Sequence, residues 1–181
     1  MVPEQSRSQH IITTDPGVDD ALAILTSWGM YDHPVYVATY GNGSTQQTST
    51  NLSTLTMAMD RYKRNGLRPA PEAFAGARHP SHKEGFSLEE NYSGSLDFIH
   101  GKNAMEGFTV PALPITPDAE SHVLYDRTKA GVEDTIDLIA LGALTEIYHQ
   151  LTNPNLRPNI RSVTLMGGAF REAGNVEPHQ E

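Results

Sequence analysis

The 181-residue chain contains no cysteine. That excludes a disulfide scaffold, a Cys-ligated zinc centre, an iron–sulfur cluster and a cysteine nucleophile. Basic residues are scarce: 13 Lys and Arg against 22 Asp and Glu leave a formal net charge of −9. Nucleic-acid binding rests on clustered Lys and Arg, so no nucleic-acid partner is expected. The one dense basic run, Arg61-Tyr62-Lys63-Arg64, suits a solvated helix end. No apolar stretch approaches the roughly 18 residues of a membrane span. Residues 1–10 (MVPEQSRSQH) lack the apolar segment of a signal peptide. The expectation is a cytoplasmic protein with no membrane partner, which the absence of Cys fits. The eight histidines are scattered without the HxxxH spacing of a helical metal site.

What is present is alternation. The length suits a single domain, since domains typically run ~100–200 residues. His10 to Thr14, Val35 to Thr39, Thr135 to Leu141 and Ile160 to Met166 are short runs with many β-branched residues and read as strands. A weaker strand near Ala70 to Ala75 carries Pro71. Between them lie helical periods. Ala21, Ile24, Leu25 and Trp28 share one face of a helix closed by Gly29. Leu52, Leu55, Met59 and Tyr62 mark a second, stopped by Asn65-Gly66. Thr116-Pro117-Asp118 starts a third, running towards Ala130. Leu144, Ile147, Tyr148 and Leu151 form the apolar face of a short fourth. Residues 76–114 read as one long loop within the domain. Strands alternating with helices predict an α/β fold with a mainly parallel, open, Rossmann-like sheet flanked by helices.

The chemistry concentrates in Asp15-Pro16-Gly17-Val18-Asp19-Asp20-Ala21. Three carboxylates lie within six positions, where the first strand ends and a helix begins. Open α/β sheets bind ligands at that edge. One Asp there could cap the helix, but three repel one another unless a cation compensates them. Oxygen ligands of this kind suit a hard divalent ion.

Residues 11–21 (IITTDPGVDDA) resemble the N-terminal signature of the inosine–uridine nucleoside hydrolase family. Further blocks follow in the family's order. Tyr40-Gly41-Asn42-Gly43 with Thr45, Gln46 and Gln47 is similar to its second loop. Ile99-His100-Gly101 is similar to its mid-chain element, and Leu141-Gly142-Ala143-Leu144-Thr145 to its GxLT turn. Met166-Gly167-Gly168-Ala169-Phe170, Gly174-Asn175-Val176 and Glu181 follow its MGGA…GN…E pattern.

The resemblance implies Ca²⁺-dependent hydrolysis of the N-glycosidic bond of ribonucleosides to ribose and free base. It implies Asp15 as general base and Ca²⁺ ligand, Asp20 as a second carboxylate ligand, and Leu141 as a ligand through its backbone carbonyl. Asp19 is implied to accept from a ribose hydroxyl, and Asn42 to support the carboxylates or the sugar. Met166, Asn175 and Glu181 are implied to line the ribose pocket. A small-molecule nucleoside is the expected partner, and a homo-oligomer the expected assembly.

Four departures stand out. Thr13 occupies a position where the family usually has Asp. Glu146 replaces the amide of its LTN turn. Lys102 to Gly107 replaces a Gly-Leu-Gly run. The chain ends at Glu181, so residues 1–181 read as the N-terminal part of a longer nucleoside hydrolase domain. These departures sustain a second reading, an inactive remnant that binds metal or ribosyl ligands without turnover. A phosphotransferase with an Asp nucleophile is a weaker third, because Gly17 stands where an Asp-x-Asp pair needs its second acid.

Overall fold

The computed structural model describes residues 8–63, 71–76, 104–105, 135–168 and 171. The predicted helix from Thr116, the Asn65-Gly66 stop, His100, Asn175 and Glu181 lie outside these residues, as does all but Gly76, Ala104 and Met105 of the long loop.

The described chain runs β1 (Ser8–Thr14), α1 (Val18–Met30), β2 (Val35–Ala38), α2 (Thr45–Lys63), β3 (Glu72–Ala75), β4 (Thr135–Ala140), α3 (Thr145–Thr152), a short 3₁₀ turn (Arg157–Asn159) and β5 (Ile160–Leu165). All strand pairs are parallel, in the order β3-β2-β1-β4-β5. The α/β, Rossmann-like expectation therefore holds. Parallel strands buried on both faces need apolar residues at successive positions, and β1 supplies Ile11 and Ile12, β2 Val35 to Ala38.

Strand alternation sorts these residues between two cores. Ile11, Val37, Leu138 and Ala140 meet Ile147 of α3 on one face. Ile12, Tyr36 and Ala38 meet Ile24 of α1 and Leu52, Leu55 and Met59 of α2 on the other, with Met105 added. Each buried Ile, Val, Leu or Met among them contributes roughly 1.5–3 kcal/mol.

Two helix faces differ from the sequence expectation. In α1, Ile24 is buried and Ala21 and Trp28 pack against the core, but Leu25 is exposed, and the helix runs past Gly29 to Met30. In α3, Leu144, Tyr148 and Leu151 are exposed, while Glu146, Ile147 and Gln150 are buried. The short α3 sits against the strand exits, and of its apolar stripe only Ile147 faces inward, beside the polar Glu146 and Gln150.

The chain turns one way after β1 and the other way after β4. α1 lies on one face and α3 on the opposite face, so the C-terminal ends of β1 and β4 open a crevice at a topological switch point.

Candidate functional site

Asp15 follows β1 directly at this crevice and is buried, 8% exposed. Asp19 and Asp20 stand in the first turn of α1. Asp20 is also buried, 4% exposed, because it is tied down on several sides. Thr14 Oγ1 donates to its Oδ1 at 2.6 Å, and the Gly17 N–H reaches its Oδ2 at 3.4 Å. Asp19 is exposed and lines a groove of about 410 Å³ beside α1, together with Leu22, Met30 and Leu141. The expected trio is thus a buried pair with the third acid outside it. Among the described residues no set of three acidic or histidine side chains converges as a metal cluster.

Asn42, four residues beyond the end of β2 in the chain's Gly41-Asn42-Gly43 turn, binds the pair together. Its backbone N–H donates to Asp15 Oδ2 at 2.8 Å. Its side-chain amide donates to the Asp15 carbonyl at 2.9 Å and reaches Asp20 Oδ2 at 3.4 Å.

The Asp15 carboxylate occupies a slot between two glycines. A Cβ on Gly41 would lie 2.1 Å from Asp15 Oδ2, and one on Gly142 would lie 2.4 Å from Asp15 Oδ1. Gly41 also has φ +153°, which side chains disfavour. Burial pushes Asp15 up to about 8; the neighbouring Asp20 charge adds to the rise, the Asn42 N–H opposes it, and Asp19 adds a little more.

Two further expected residues, Leu141 and Met166, take places on the same edge. Leu141 follows β4, and its N–H donates to the Thr13 carbonyl at 2.8 Å. Met166 follows β5; its N–H donates to the Ala140 carbonyl at 2.8 Å and its side chain is exposed. Thr13 faces away from Asp20, on the α3 side, fully buried, with Oγ1 unpartnered.

Several supporting residues gave little sign of themselves in the sequence. Asn51 of α2 donates to the Pro16 carbonyl at 2.9 Å and Thr48 to the Thr39 carbonyl at 2.7 Å. Both hold site loops from a helix whose Thr and Ser content reads only as poor helix former. Glu146, fully buried, accepts from Gln150 at 3.3 Å and has Oε2 3.0 Å from where a Gly76 Cβ would stand. Its one sequence signal is an acid in place of an amide.

Two buried carboxylates, tied together through Asn42, form an oxygen donor set that fits a hard divalent cation. Asp15 and Asp20 would hold it, with the exit of β4 beside them.

The sequence model of the inosine-uridine preferring nucleoside hydrolases matches residues 10–181. Among curated proteins, uridine nucleosidase 1 of Arabidopsis thaliana is 27% identical over 175 residues, covering 94% of this chain and 48% of that protein. A pyrimidine-specific ribonucleoside hydrolase of Photobacterium profundum is 30% identical over 177 residues, covering 94% and 51%. A solved plant nucleoside hydrolase superposes with a TM-score of 0.70 at 26% identity, covering 94% of this chain and 51% of that one. The chain spans about half the length of the curated relatives it matches.

Proposed function

Because this chain belongs to the inosine–uridine preferring nucleoside hydrolase family, we propose that it carries the carboxylate half of a site for Ca²⁺-dependent hydrolysis of ribonucleosides to ribose and free base. One observation carries the reading: Asn42 ties Asp15 and Asp20 into a single buried pair at the switch-point crevice. Relatives named as uridine nucleosidases and a pyrimidine-specific ribonucleoside hydrolase support nucleosides as the substrate class.

A divalent cation, when bound, supplies positive charge that acidifies and orients a water molecule. Asp15 and Asp20 would hold it, and the Leu141 carbonyl would serve as a third ligand. Asp15 accepts the proton of the attacking water. The water oxygen bonds the anomeric carbon as the C–N bond breaks, and the base leaves with that electron pair and takes up a proton from solvent. Positive charge builds on the sugar in such reactions, and the exposed carboxylate of Asp19, aimed at a ribose hydroxyl, favours it. Asn42 keeps Asp15 oriented, and Met166 covers the sugar. Asn175 and Glu181 complete the ribose contacts.

The test is release of free base from inosine and from uridine, followed chromatographically with added Ca²⁺ and then with a chelator. Chelator-sensitive release supports the reading. A second reading, ligand binding without turnover, is favoured by the pairing of two acids where three were expected. Ca²⁺ binding with no base released would establish it in place of the first.

A further inference from the structure

The slot that holds Asp15 has two walls from different parts of the chain. Gly41 forms one, on the loop after β2, and Gly142 the other, on the turn after β4. One hydrogen bond spans from the first wall to the second. The Tyr40 hydroxyl, next to Gly41, meets Thr145 Oγ1, three residues past Gly142, at 2.7 Å. Tyr40 is buried and Thr145 half-buried at the first turn of α3. The slot tolerates little change in width, since even a methyl on either glycine would overlap the carboxylate.

We propose that Tyr40 and Thr145 are positioning residues: their hydrogen bond is a strut that sets the width of the Asp15 slot and keeps Asn42 against the carboxylate. The loop is already anchored at its base, by Thr48 to the Thr39 carbonyl and by the Thr39 N–H to the Thr14 carbonyl. Neither bond reaches the tip, where Gly41 and Asn42 meet Asp15. The strut joins the tip to the opposite wall. Its catalytic consequence rests on the nucleoside hydrolase reading; its structural consequence does not.

The experiment compares Tyr40→Phe, Thr145→Val, the double variant and Thr145→Ser in the full chain. Amide hydrogen exchange at Asn42, whose N–H sits on Asp15 Oδ2, reports the slot directly. Losing one buried hydrogen bond should speed that exchange about tenfold in each single variant. Exchange at Ile12 and Ile139 in the β1–β4 ladder should not move. The double variant should lose less protection than the sum of the singles, since both delete this bond, and Thr145→Ser should restore the wild-type rate. In nucleoside turnover kcat should fall while KM stays within about twofold, because Asp15 is displaced while the sugar contacts remain. Unchanged Asn42 exchange in both singles overturns the proposal, as does equal acceleration throughout the ladder. If the unaltered chain releases no base, the functional reading fails, and the Asn42 exchange rates still decide the strut.

Discussion

Asn42 grips Asp15 at two points, its backbone N–H on the carboxylate at 2.8 Å and its side-chain amide on the carbonyl at 2.9 Å. The same amide reaches across to Asp20. A residue from the loop after β2 thereby fixes the first residue after β1 and the first turn of α1 at once. The geometry of the pair depends on that loop as much as on the acids.

The pair should shape stability against pH in the cation-free protein. Asp15 titrates near 8 when folded against 3.8 unfolded. The folded state then holds the extra proton between those values, so the stabilisation is complete below about pH 4 and is lost as pH rises to about 8. Denaturant titrations from pH 5 to 8 should show falling stability, by several kcal/mol at most, and Asp15→Asn should flatten the slope. A slope unchanged in Asp15→Asn contradicts the assignment.

Gly142→Ala places a methyl 2.4 Å from Asp15 Oδ1 and 2.8 Å from Thr39 Oγ1. Overpacking of this kind costs about 1–3 kcal/mol. The variant should melt lower and lose more than about tenfold in kcat, because the displaced group is the proposed base. Wild-type kcat in a folded Gly142→Ala protein would show that the carboxylate position does not matter.

Thr13→Val should stabilise the protein. Thr13 Oγ1 is fully buried without a partner, and an unsatisfied buried polar atom costs about 1–3 kcal/mol. Valine keeps the shape and removes the atom. A rise in the denaturation midpoint with unaltered turnover is expected; a large loss of turnover would assign Thr13 a role in the site.

A control lies at the other end of the sheet. Asp137 accepts from Arg161 Nε at 3.0 Å and Ser162 Oγ at 2.5 Å, with a second bond from Arg161 Nη2. Burial raises the Asp137 carboxyl, but these bonds outweigh it and hold it below its usual value. His10, stacked on Tyr31, is lowered mainly by burial. Both groups contribute stability that is lost on acidification: that of His10 as pH falls below 6.5, that of Asp137 as it falls below 3.8. Asp137→Asn should cost about 2 kcal/mol and leave turnover unchanged, since the cluster sits about 16 Å down β1 from Asp15. Altered turnover would couple the two ends of the sheet.

The strands were legible because β-branched runs such as His10 to Thr14 and Thr135 to Leu141 have few other uses. Asp15, Asp19 and Asp20 stood out because three acids cluster where a strand must end, whereas Asn42 was legible only through the family resemblance. Leu25 and Tyr148 misled, since periodicity marks an apolar stripe without saying what lies opposite it. In α3 the strand exits lie opposite, and Glu146 and Gln150 turn inward to meet them. The glycine slot was hidden for a related reason. Gly41 and Gly142 lie about a hundred residues apart, and their need for small size exists only once β2 and β4 flank β1. Nor could spacing separate Asp19 from its neighbour: helix geometry sends one outward and Thr14 draws the other in.

The most direct test is calorimetric titration of the cation-free chain with Ca²⁺ at pH 7 in buffers of different ionisation enthalpy. The account predicts one site per chain and release of close to one proton, since Asp15 titrates near pH 8 before binding and must deprotonate to become a ligand. Both should vanish in Asp15→Asn. Ca²⁺ binding that persists in that variant, or binding without proton release, would contradict it.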